Sequence, residues 1–121
     1  MKERFRLRKP ADFRKVFKEG KRFLSPHFVL YMRKNIVQDA SLPDRQARIG
    51  ISLAKRHFKL ATRRNRLRRI AKELFKKELS TRFKEYDFVV ASRQTYPRSN
   101  INEVSKELKY LITKPCLKKY D

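Results

Sequence analysis

The apolar residues change period along the chain, and each change marks an element. In PADFRKVFKEG, Phe13, Val16 and Phe17 fall at i, i+3 and i+4, one helical face. Pro10 at the first turn and Gly20 beyond the last predict a helix between them. From Lys21 the period becomes two. Lys21–Leu24 is a short strand before a Ser25-Pro26 turn. In HFVLYMR, Phe28, Leu30 and Met32 share one face of a strand, and His27, Val29, Tyr31 and Arg33 share the other. A polar loop with Pro43 and Asp44 follows from Asn35 to Arg45. Ile49, Ile51 and Leu53 then alternate with Gly50 and Ser52, whose small side chains leave that face of the backbone approachable.

The helical period returns over roughly 61–79. Leu60, Leu67, Ile70, Ala71 and Leu74 fall on one side, with Thr62 as candidate N-cap. Arg64, Asn65, Arg68, Arg69, Lys72 and Lys76 form the expected polar sector, with Arg66 and Lys77 on its opposite shoulder. Tyr86–Ser92 is apolar on both faces, the pattern of a central strand covered on each side. Asn100 with Glu103 three residues on is patterned as a capping box. Val104, Leu108, Leu111 and Ile112 mark a last helix expected to stop before Pro115, leaving 116–121 as a frayed tail. The order helix, three strands, helix, strand, helix predicts an α+β layer protein with one sheet. No repeat or linker divides it, so residues 1–121 are expected to form a single domain, with 1–9 a basic lead-in.

Charge changes what this pattern means. Lys and Arg number 34 against 12 Asp and Glu, a net +22 on 121 residues, and such an excess favours a nucleic-acid binder over a membrane-surface protein. It concentrates in the second helix and the turn before it: between Lys55 and Lys77 the only acid is Glu73. Pairs such as Arg64/Arg68, Arg68/Lys72 and Lys72/Lys76 repel at i,i+4 by a few tenths of a kcal/mol each. A bound polyanion removes that repulsion. Cys116 is the single cysteine, so no disulfide framework is expected. No apolar run follows the charged N-terminus and none is long enough to span a membrane, which points to the cytoplasm.

Candidate catalytic groups are few. His27 and His57 have no metal-ligand spacing and no neighbouring carboxylate cluster, and two glycines cannot build a phosphate loop. Phosphate recognition is well supplied instead. Arginine presents a planar fork that fits phosphate oxygens in pairs, and Arg64, Arg66, Arg68 and Arg69 surround Asn65, which can both donate and accept. Aromatic side chains in a positive groove stack single-stranded bases, and Tyr31 with Phe13 or Phe17, on a helix that must pack near its strand, could provide such a groove.

The run Ala61-Thr62-Arg63-Arg64-Asn65-Arg66-Leu67-Arg68-Arg69 resembles the signature of the bacterial ribonuclease P protein subunit family. RLRKPADFRKVFKEGKRF, HFVLYM, RIGISLAKR and YDFVVASR resemble that family's other segments in the same order. In the turn before the signature, where many members have a glycine, this chain has His57-Phe58-Lys59-Leu60. The resemblance implies an α/β sandwich with a four-stranded mixed sheet, three helices and a left-handed βαβ crossover, against the usual rule of handedness. It implies a protein that is not itself catalytic. The partner would be ribonuclease P RNA, which removes the 5′ leader of precursor tRNA using Mg2+ held mainly by the RNA, with no organic cofactor, protein-bound metal or obligate protein partner. Lys55, Arg56, Arg64, Asn65, Arg66, Arg68, Arg69 and Lys72 would contact the RNA. Phe13, Phe17, Tyr31 and Ser52 would line a cleft for the leader. Two other readings compete with this one: a structural RNA-binding protein, and a stand-alone nuclease using His27 and His57.

Overall fold

In the computed structural model, which describes residues 7, 9–34, 47–79, 82–94 and 101–117, seven elements follow one another. They are α1 (Pro10–Glu19), β1 (Lys21–Leu24), β2 (Phe28–Lys34), β3 (Arg48–Ser52), α2 (Ala61–Glu78), β4 (Tyr86–Ser92) and α3 (Ile101–Leu117). The strands form one mixed sheet in the order β1-β2-β4-β3. β2 is antiparallel to β1 and β4, and β3 is parallel to β4, the two being joined through α2. β4 is therefore a central strand, as its two apolar faces require.

Pairing register sorts the sheet residues into two faces. One carries Phe23, Phe28, Leu30, Met32, Ile49, Phe88 and Val90, and packs with Leu67 and Phe75 of α2 and Val104, Leu108, Leu111 and Ile112 of α3. Phe28, Phe75 and Phe88 are fully buried, each contributing on the order of 2–3 kcal/mol by removal from water. The second face carries Arg22, Leu24, Val29, Tyr31, Arg33, Arg48, Gly50, Ser52, Asp87, Val89 and Ala91. Here α1 packs on β2 and β4, with Val16 wholly buried beside Val89 and Leu7. Leu7, in the expected lead-in, donates its N–H to the Ile49 carbonyl at 2.8 Å and so lies along the β3 edge.

Four expectations about the helices need correction. Thr62 does not cap α2. The N-cap is Leu60, whose side chain has no acceptor and is 60% exposed, so Leu60 also leaves the apolar face it was assigned. Third, Arg64 lies on the core side, because it stands three residues before Leu67 and seven before Ala71. Lastly, α3 does not stop before Pro115 but runs through it to Leu117, so 116 and 117 belong to the helix. Proline forfeits one backbone bond. Near a helix end that loss is small, and the ring is buried. The capping box at Asn100, the loop at 35–45, the 96–99 turn and the 118–121 tail lie outside the described residues.

Candidate nucleic-acid interface

α2 presents its charge outward along one side. Asn65, Arg66 and Arg69 are exposed, and Arg68 and Lys72 are half-buried. The Arg68 guanidinium donates to Asn65 Oδ1 at 3.3 Å, so Asn65 orders a neighbouring arginine. No acid lies in the first turn of α2 and no side chain caps it. The partial positive charge of the helix N-terminus thus adds to the cations around it, a setting that suits phosphate.

Arg64 behaves differently. Its Nη1 donates to the carbonyls of Phe58 and Lys59 at 2.7 and 3.2 Å, so one arm of the guanidinium is engaged on the segment that enters the helix. The preceding turn is closed by backbone hydrogen bonds. Ala54 accepts from the His57 and Phe58 N–H groups at 3.0 and 3.1 Å, and Lys55 and Arg56 stand exposed at its tip. No non-glycine residue among those described has positive φ, so a glycine is not required where this chain has His57 and Phe58. Phe58 uses its ring: it is buried and stacks on Phe28 at 5.8 Å between centroids.

The sheet face beneath α1 holds an aromatic cluster. Phe17 meets Tyr31 edge-on at 4.9 Å and Phe13 at 6.3 Å. Phe17 is 38% exposed, whereas Phe13 and Tyr31 are half-buried. The Phe13 ring occupies the space over Gly50, where an added Cβ would stand 2.6 Å from two ring carbons. The approachable backbone expected at Gly50 is therefore taken by the protein itself. The neighbouring row Leu24, Val29, Ala91 and Ser52 is the floor, open at its two ends: Leu24 is 47% exposed and Ser52 is also exposed, whereas Val29 is buried and Ala91 half-buried between them.

α1 is held over this floor at both ends. Glu19 accepts from Arg33 at 2.5 Å, and Asp12 lies 3.9 Å from Arg48. Sequence reading missed the buried pair behind them. Arg48 donates in a fork to Asp87 at 2.9 and 2.7 Å, with the Asp87 side chain nearly inaccessible to solvent. The hydrogen bond to Asp87 raises the already high Arg48 pKa, so the guanidinium stays charged. Removing one partner would leave an uncompensated buried charge. A lone Asp in an apolar strand, with an Arg opening another, was the available signal.

Both histidines are engaged structurally. His27 Nδ1 is 2.9 Å from Glu107 Oε1, and Glu107 Oε2 accepts from the Ser25 hydroxyl and the His27 N–H at 2.6 and 2.9 Å. Glu107 thereby ties α3 to the β1–β2 turn. His57 Nδ1 lies 2.8 Å from Ser92 Oγ. Desolvation, reinforced by the Arg56 charge, holds the His57 pKa below the ordinary histidine value and favours the neutral ring. Among the described residues no group of three or more His, Cys, Asp and Glu could hold a metal ion, and no helix is long and apolar enough to cross a membrane.

An arginine-rich helix on one side of a sheet and an aromatic cluster on the other suit an RNA-binding protein of small α/β sandwich type. The family model of ribonuclease P matches residues 1–116. A ribonuclease P protein component of Clostridioides difficile is 35% identical over 107 residues, covering 88% of this chain and 87% of that one. The RNase P protein from Thermotoga maritima has the same fold with TM-score 0.65 and 31% identity, covering 90% of this chain and 96% of that one. The Staphylococcus aureus RNase P protein superposes with TM-score 0.70 at 26% identity, covering 90% and 93%. The chain belongs to the ribonuclease P protein family, and so is a subunit of an endoribonuclease that acts in tRNA processing.

Proposed function

We propose that this chain holds ribonuclease P RNA with α2 and the 54–60 turn, and lays the 5′ leader of precursor tRNA along the floor beside Phe13, Phe17 and Tyr31. The observation that carries this reading is the separation of the two surfaces. Exposed arginines stand on the layer formed by α2 and α3, and the aromatic cluster of exposed Phe17 with half-buried Phe13 and Tyr31 lies where α1 crosses the other face of the sheet. One protein can then grip a structured RNA through phosphates and a single strand by stacking, without the two competing. Within the predicted contact set, Lys55, Arg56, Asn65, Arg66, Arg68, Arg69 and Lys72 reach the ribozyme, and Arg64 shapes the surface they share.

In this reading the RNA cleaves the leader with Mg2+ that it holds mainly itself, in the cytoplasm, and the protein binds and orients. Reconstitution tests it. Precursor tRNA should yield 5′-mature tRNA at near-physiological magnesium only when protein and cognate RNA are both present. Cleavage by the protein alone would overturn the reading, and RNA binding without any effect on cleavage would favour a structural RNA-binding protein.

A further inference from the structure

The parallel pairing of β3 with β4 ends at Ser52 and Ala91, and the chain then leaves the sheet. Ala54, two residues on, has no ladder partner for its N–H. Ser92, the last residue of β4, supplies one: Ser92 Oγ accepts the Ala54 N–H at 2.9 Å. The same oxygen meets His57 Nδ1 at 2.8 Å. Arg56 Nε donates to His57 Nε2 at 3.5 Å, so a neutral ring carries its proton on Nδ1 and donates it to the serine oxygen, whose other lone pair takes the amide. One hydroxyl thus clamps both ends of the turn whose tip carries Lys55 and Arg56.

Ala54 is the hinge of that turn. Its carbonyl accepts from His57 and Phe58, so its peptide orientation sets where residues 55 and 56 project. Arg64 and the Phe28–Phe58 stack fix the far side of the connection, which leaves the near side to Ser92.

We propose that Ser92 is a positioning residue for RNA binding: it presets the Lys55-Arg56 turn so that both cations meet phosphates without a conformational search. The proposal rests on the reading that this turn touches ribonuclease P RNA. Pre-ordering a basic loop moves its ordering cost from the binding step to folding. Substituting the hydroxyl leaves every charge in place and so changes affinity only through geometry.

The test measures binding of the full chain to its cognate ribonuclease P RNA as a function of salt. S92A should bind several-fold more weakly than wild type, with a shallower salt slope, and S92T, which keeps the oxygen, should recover both. In a K55A/R56A background S92A should add nothing, because its effect passes through those two side chains. Hydrogen exchange of the Ala54 amide, slow in wild type and faster in S92A, reads the bond directly. Wild-type affinity in S92A overturns the proposal, as does an equal loss in the K55A/R56A background or fast Ala54 exchange in the wild-type protein. Should K55A/R56A itself bind like wild type, the turn's contact with RNA falls, and the positioning role falls with it.

Discussion

At the scale of single residues, arginines in one run do different work. Arg69 is exposed on α2, whereas Arg64 is half-buried and holds the carbonyls of Phe58 and Lys59. We expect Arg69→Ala to leave the melting temperature nearly unchanged while lowering RNA affinity and reducing the salt slope by roughly 0.7–0.9 per lost phosphate contact. Arg64→Ala should cost about 1–2 kcal/mol of stability by freeing those carbonyls. That corresponds to a fall of roughly 4 °C per kcal/mol in a domain of this size. Thermal melts beside salt-dependent binding check both, and equal melting shifts would refute the division. Arg64 was legible in principle, since its spacing from Leu67 and Ala71 is that of the buried stripe. Its charge argued the other way, and only the nearby carbonyls explain how a guanidinium sits there.

Elements raise a different question, because a cleft needs two of them. Phe17 of α1 and Tyr31 of β2 meet edge-on at 4.9 Å beside the row Leu24, Val29, Ala91 and Ser52, which is exposed at Leu24 and Ser52. If the leader stacks there, Tyr31→Ala should weaken binding of a precursor tRNA with a long leader by about 1–3 kcal/mol, the usual range for one stacked base. A tRNA without a leader should bind as before. Affinities for the two RNAs measured side by side decide it, and equal losses would remove Tyr31 from the cleft. The candidate aromatics were legible from period alone: Phe13, Val16 and Phe17 share a helical face, and Tyr31 lies opposite Leu30. Which ring is covered and which is open was not. Val16 is buried and Phe17 is exposed, a division set by how α1 crosses the sheet. Ion pairs at both its ends hold that crossing, although partly exposed pairs contribute at most about 1 kcal/mol each.

Over the whole molecule the net charge of +22 acts on stability as well as on binding. Like charges repel in the compact state, and screening or a bound polyanion relieves them. The melting temperature should therefore rise with added salt and rise further with a polyanion at equal ionic strength. A scan in chloride, in phosphate and with RNA measures this, and a melting temperature insensitive to all three would show that α2 tolerates its repulsion unaided.

The residues themselves determined the seven elements, the two-faced strands, the central place of β4 and the concentration of like charge on α2. Each of these is encoded by spacing within a few turns or along one strand. Only the tertiary structure decided the order β1-β2-β4-β3 and everything that depends on it. Arg48 meets Asp87, Ser92 meets Ala54 and Glu107 meets His27 across 39, 38 and 80 positions of chain. No local period carries such pairings, because they arise from which strand edges find each other. The basic helix announces itself in sequence, whereas the serine that sets its entry turn is visible only once β4 lies beside β3.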